Sequence, residues 1–96
     1  MKAWLITPAS VVTEIEVGDG DRVLVDLSRE YFGGSCLALT KVEWRGELRH
    51  MAVDDEGLLK HLPLNRVASE AYWAACKRGT IHYLAGDAVI FERLLD

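Results

Sequence analysis

The chain lacks nearly everything that advertises a chemistry. Its only cysteines are Cys36 and Cys76, both in apolar settings ("GSCLAL", "WAACKR"). A lone pair in a chain with no secretory leader is expected to be reduced and buried. No CxxC, HExxH or H-x₃-H occurs, and His50, His61 and His82 share no metal-ligand spacing with each other or with the cysteines. No metal site is therefore expected. Basic residues are outnumbered, 11 against 15 acidic, for a net charge of −4. They form no stripe, which argues against a phosphate backbone as partner.

Long apolar runs are missing too, so no membrane span is expected. The opening "MKAWLITP" has one lysine and too few apolar residues for a secretory signal, which points to a cytoplasm. There is no repeat, low-complexity stretch or linker, and 96 residues leave room for one core, a single domain over 1–96. The "GDGD" at 18–21 lacks the remaining ligands of a calcium loop and reads as a turn. Gly33-Gly34 opens no phosphate loop, and Ser10, Ser28, Ser35 and Ser69 lie in no nucleophile elbow. Carboxylates pair only in turns. The expectation is a protein without catalytic residues or cofactor.

What is present is an ordinary globular composition, half of it hydrophobic. Residues 2–7 and 11–17 read as strands around the "PAS" turn, the second with Val11, Thr13, Ile15 and Val17 on one face. Residues 22–25 read as a short strand or a lead-in. "DLSREYFGG" reads as a short helix, with Asp26 or Ser28 as N-cap and Gly33 as its stop. Residues 35–44 form the best strand, in a hairpin with 48–54. A three-residue loop there pairs Trp44 with Leu48 and Glu43 with Arg49, a better match than a two-residue loop at Arg45-Gly46. The "DDEG" turn follows, its glycine expected in the left-handed region. Strands are expected at 80–84 and 88–93, completing an α+β fold. That fold is an antiparallel sheet of about five to six strands against one main helix, plus one short helix.

The main helix is expected over 64–78, with Asn65 as cap and Gly79 past its end. Leu64, Val67, Ala68, Ala71 and Ala75 form one stripe, expected to meet the sheet. Trp73 falls opposite, beside Arg66, Glu70 and Lys77, so its indole is expected to look outward. Three accounts of it compete: cover by a loop or the chain end, stacking on Lys77, or an anchor for another protein or a second copy. Asn65 is expected to cap the first turn while Arg66 reaches back to the "DDE" turn. The alternative makes Asn65 and Arg66 a small anion site at the helix N-terminus.

The order "FGGSCLALTKV", "MAVDDEGLLKHLPLNRVAS", "YLAGDAVIF" resembles a family of short bacteriophage and plasmid proteins of unknown function. Its pattern matches here at Gly33-Gly34, Asp55-Glu56-Gly57, Leu62-Pro63-Asn65-Arg66-Ala68 and Gly86-Asp87. The resemblance runs over roughly 2–92 and transfers no catalytic residue. It implies a mobile genetic element expressed in a bacterial host. The segments "EWRGELRH" and "SEAYWAACKRGT" exceed the family's pattern and hold Trp44, Arg45, Trp73 and Lys77, which with Arg66 are the interface candidates.

The expected function is a non-enzymatic protein-binding module of a phage or other mobile element, an inhibitor of a bacterial defence component. Its partner would be a bacterial host protein, with a homodimer as a further option. The alternatives are a nucleotide- or anion-binding protein using Arg66, the first turn of the helix and the "LAGD" loop, and an accessory nucleic-acid protein using Arg45, Arg49, Lys77 and Arg78 with Trp44 or Trp73.

Overall fold

The computed structural model describes residues 1–18, 20–76 and 82–95. Asp19 of the "GDGD" break, the helix end expected at 77–78 and the first residues of the strand expected at 80–84 lie outside the described residues.

Among the described residues five antiparallel strands form one sheet: β1 (Lys2–Ile6), β2 (Val12–Glu16), β3 (Leu37–Trp44), β4 (Glu47–Asp54) and β5 (Ala88–Phe91), in the order β2-β1-β5-β4-β3. The last strand thus enters between the first and the fourth. All four residues of β5 are buried, as an apolar run with no alternation requires of a central strand. Side-chain alternation along the other strands feeds two apolar clusters, one on each face.

Each face has its own helix. α2 (Arg66–Ala75) covers the cluster of Trp4, Ile6, Val42, Met51, Val53, Ala88 and Ile90, contributing Ala68 and Ala71. α1 (Val23–Tyr31) covers Ala3, Ala52, Val89 and Phe91 with Leu27, while Val23, Leu24 and Tyr31 pack at the margin. α1 takes in the 22–25 segment read as a strand or lead-in. Val23, Leu24, Leu27 and Tyr31 recur at helical spacing, and burial of that face outweighs the β-branched content of the opening. Its N-cap position is Arg22, with no side-chain cap bond, rather than Asp26 or Ser28. The stop is as expected from glycine: Gly33 and Gly34 have φ of 63° and 85°, and Phe32 and Gly34 both donate N–H to the Ser28 carbonyl.

The β3–β4 register corrects the expected hairpin. Trp44 stands opposite Glu47 and Val42 opposite Arg49, with a two-residue loop. Arg45 and Gly46 both have positive φ, 51° and 81°, the pair of left-handed residues that a twist-matched turn demands. The mismatch of Val42 with Arg49 is resolved by chemistry instead. Arg49 is buried, donating from Nε to the Trp44 carbonyl at 3.0 Å and from Nη1 to the Glu92 carbonyl at 2.5 Å. Its guanidinium lies 4.9 Å over the Trp4 ring.

Gly57 is also glycine for another reason than expected. It is not in the left-handed region; a Cβ there would sit 2.6 Å from the Ala85 carbonyl oxygen, so the turn needs close approach. Among the described residues no helix is long and apolar enough to cross a membrane.

Candidate functional site

Trp73 is half-buried, and the reason lies in the chain that returns from α2 toward β5. Asn65, Ser69 and Trp73 stand one turn apart on one side of the helix. Asn65 donates its N–H to the Leu84 carbonyl at 2.8 Å, Ser69 Oγ accepts from Leu84 N–H at 2.9 Å, and Trp73 Nε1 donates to the His82 carbonyl at 2.6 Å. Residues 82–85 therefore run extended along α2, ending in the single bridge Leu64–Ala85. This replaces the sheet strand expected at 80–84, of which 82–84 carry no strand pairing.

The covered side of α2 is accordingly rotated toward Ser69. Ala68, Ser69 and Ala71 are buried, whereas Leu64, expected in the core stripe, is 51% exposed. The indole does not look freely outward: it meets Tyr83 edge-on, ring centres 5.0 Å apart at 83°. Of the three accounts, cover by a returning segment is the one in place.

Asn65 is the hub of this corner. It is fully buried; Oδ1 accepts from Ala68 N–H at 3.1 Å and Nδ2 donates to the carbonyls of Ile6 and Gly86, both at 2.9 Å. Both amide hydrogens are spent, and the side chain faces the core, not an anion. Arg66 is exposed and pairs with Glu70 at 3.1 Å instead of reaching the 54–56 turn. That turn takes its cation from Lys60, whose Nζ lies 2.9 Å from Asp54 Oδ2 and 2.5 Å from Ser35 Oγ.

The remaining candidates are dispersed. Arg45 is exposed, its guanidinium 5.2 Å from the Trp4 ring and 5.4 Å from the Trp44 ring. Trp44 is half-buried against Trp4 at 6.4 Å, its indole N–H buried without a partner among the described residues. Lys77 lies outside the described residues. Cys36 and Cys76 are unpaired, as expected, though neither is buried: Cys36 is exposed and Cys76 half-buried.

Two clefts flank the Asp54 turn. The first, about 410 Å³, is apolar: Ala38, Val53, Gly57, Leu58, Leu59, Tyr83, Leu84 and Ala85 line it, with Asp54 and Asp55 at one side. Leu59 is 79% exposed, Leu58 59% and Tyr83 47%. Sequence reasoning passed over these three. The signal was "GLLKHL", adjacent leucines in a turn with no periodicity that would bury them.

The second cleft, about 460 Å³, is mixed: Pro8, Tyr31, Phe32, Leu62 and Pro63 form walls around Ser35, Asp54, Lys60 and Asp87. Burial raises the Asp54 carboxyl, but Lys60, the Glu56 N–H and Ser35 outweigh it and hold the group below the ordinary carboxylate range. Asp87 has no such support, and burial pushes its carboxyl up. Among the described residues no three histidine, cysteine or carboxylate groups converge to hold a metal.

No protein-family model, no curated protein and no solved structure matches this chain. The resemblance to phage and plasmid proteins therefore rests on the quoted motifs alone.

Proposed function

We propose that this chain is a non-enzymatic protein-binding module that works by occupying a partner's surface with the apolar cleft beside the Asp54 turn. The observation that carries the reading is the exposure of Leu58, Leu59 and Tyr83 around one concave patch. Single exposed leucines are commonplace, but three large apolar side chains around a groove fit the centre of an interface. Tyr83 stands on the edge of Trp73, whose bond to His82 fixes the backbone there. Trp73 thus supports the patch from behind, a positioning part and not the anchor that one of its three accounts made it.

Asp55 and Glu56, both exposed, border the leucines. Two copies meeting here would set acidic rim against acidic rim on a chain of net charge −4, which disfavours self-association. The complementary partner is a different protein, one with an apolar projection ringed by basic residues. A phage or other mobile element as source, in a bacterial host, is a proposal supported by the resemblance alone; a defence component as target rests further on the chain's small size and mild acidity.

The test is amide exchange on the complex with a host protein that the chain captures. Protection is expected at 57–59 and 83–85, with affinity little changed between about 0.1 and about 0.5 M salt. Protection confined to β2 or the Arg45 turn, or affinity that falls steeply with salt, would refute this surface. A concentration-dependent dimer in sedimentation that is protected at the same residues would replace the host partner with a second copy.

A further inference from the structure

The mixed cleft on the other side of the Asp54 turn has a charge arrangement that the fold itself does not use. Asp87 follows Gly86, whose φ is 84° and where a Cβ would meet Leu62 Cδ1 at 2.8 Å. Only glycine lets the chain turn there and bring Asp87 to the cleft wall. The carboxylate is half-buried and has no hydrogen bond or ion pair to any described residue. The cleft's other carboxylate, Asp54, is neutralised by Lys60 at 2.9 Å. With Asp54 and Lys60 cancelling, the cleft holds one negative charge that no described residue compensates.

An unpaired, part-buried carboxylate disfavours the folded chain, since water is withdrawn and nothing replaces it. A group that costs stability and sits in a ligand-sized recess marks a binding site in preference to a structural post. The walls favour the same class of ligand: Tyr31 and Phe32 bring aromatic rings, Leu62, Pro8 and Pro63 apolar surface. We propose that this cleft binds an organic cation, an alkyl- or arylammonium or a guanidinium group, with Asp87 as its counter-ion and the Tyr31–Phe32 wall against its body. The cation has two sources, a free amine or the lysine or arginine side chain of a docked protein. The chemistry of recognition is the same for both.

The charged and titratable groups around Asp87 in the cleft are Asp54, Lys60 and Tyr31. Tyr31 is held neutral, its hydroxyl raised by burial and by Glu30. Against the effect of burial, Lys60, the Glu56 N–H and Ser35 hold the Asp54 carboxyl below its ordinary range. Acidification therefore acts on Asp87 first, and protonation removes the attraction.

The experiment titrates the intact chain with benzylammonium and, separately, with N-acetyl-arginine amide, following the amide resonances of Gly86, Asp87 and Ser35. Saturable shifts are expected with dissociation constants around 1 mM, the range for one ion pair plus a small apolar body. Benzoate should produce none. Asp87→Asn should weaken cation binding at least about tenfold while leaving the thermal midpoint unchanged or higher. In the wild type, binding should fade on acidification before the chain unfolds. Preference for benzylammonium assigns the site to a free amine, and preference for the arginine amide to a partner's side chain. Absence of saturable cation shifts, equal binding by Asp87→Asn, or a lower midpoint in that variant would overturn the proposal. Leu59→Glu should leave cation binding intact, so the failure of either cleft's reading is visible separately.

Discussion

The indole of Trp73 donates to the carbonyl of His82 at 2.6 Å, and this bond is the last rung of a ladder that Asn65 and Ser69 begin. The three residues bind residues 82–85 to α2, and Asn65 further ties the helix to β1 through the Ile6 carbonyl, 59 residues away in sequence. The rungs differ in burial: Asn65 and Ser69 are fully buried, Trp73 half so.

That gradient sets an order of cost. Asn65→Ala strands two buried carbonyls and the Ala68 N–H, a loss of about 3 kcal/mol or more. Trp73→Phe keeps the ring against Tyr83 and loses one partly solvated bond, about 0.5–1.5 kcal/mol. In a domain of this size each kcal/mol lowers the thermal midpoint by about 4–8 °C, so the two are separable by calorimetry. A larger loss for Trp73→Phe than for Asn65→Ala would refute the ladder.

His50 gives the fold a pH dependence of known sign. Its Nδ1 accepts the Leu95 N–H at 2.7 Å, which requires the unprotonated ring nitrogen. Burial first, then Lys41 facing it across the hairpin, lowers its pKa from the ordinary 6.5. The unfolded chain therefore takes up the proton before the folded one does. This contribution is complete above about pH 6.5 and is lost as pH falls toward the depressed folded value. Urea midpoints should drop between about pH 7.5 and about pH 5.5, and drop less in His50→Gln. An equal drop in both would show that His50 is not the titrating group.

Strands and layers were legible in the residues because hydrophobic alternation is local. β1 to β5 fall where alternation or an unbroken apolar run puts them, and Asn65 caps α2 as its position before the helix implies. What misled were distant partners. The Val42–Arg49 register looks poor until Trp4 and the Glu92 carbonyl, contributed by other strands, receive the guanidinium. Trp73 looks like an outward side chain until residues 82–83 lie against it. The sequence carried α1 as a helical spacing that began three residues before its apparent cap.

The candidate surface was the least legible. Arg66, Trp44 and Arg45 drew notice by residue type, yet each is engaged by near neighbours: Glu70 for Arg66, Trp4 for the other two. Leu58, Leu59 and Tyr83 become a patch only because the chain crosses between β4 and β5, placing Ala85 against Gly57. That contact spans nearly thirty residues and leaves no periodic trace.

The central claim is that Leu58, Leu59 and Tyr83 form the contact surface, and Leu59→Glu tests it most directly. Leu59 is 79% exposed, so the charge costs the fold nothing measurable. Titrated against the captured partner, this variant should bind at least about thirtyfold more weakly than the wild type, the loss of one central anchor. Undiminished affinity, with an unchanged thermal midpoint, would contradict the account.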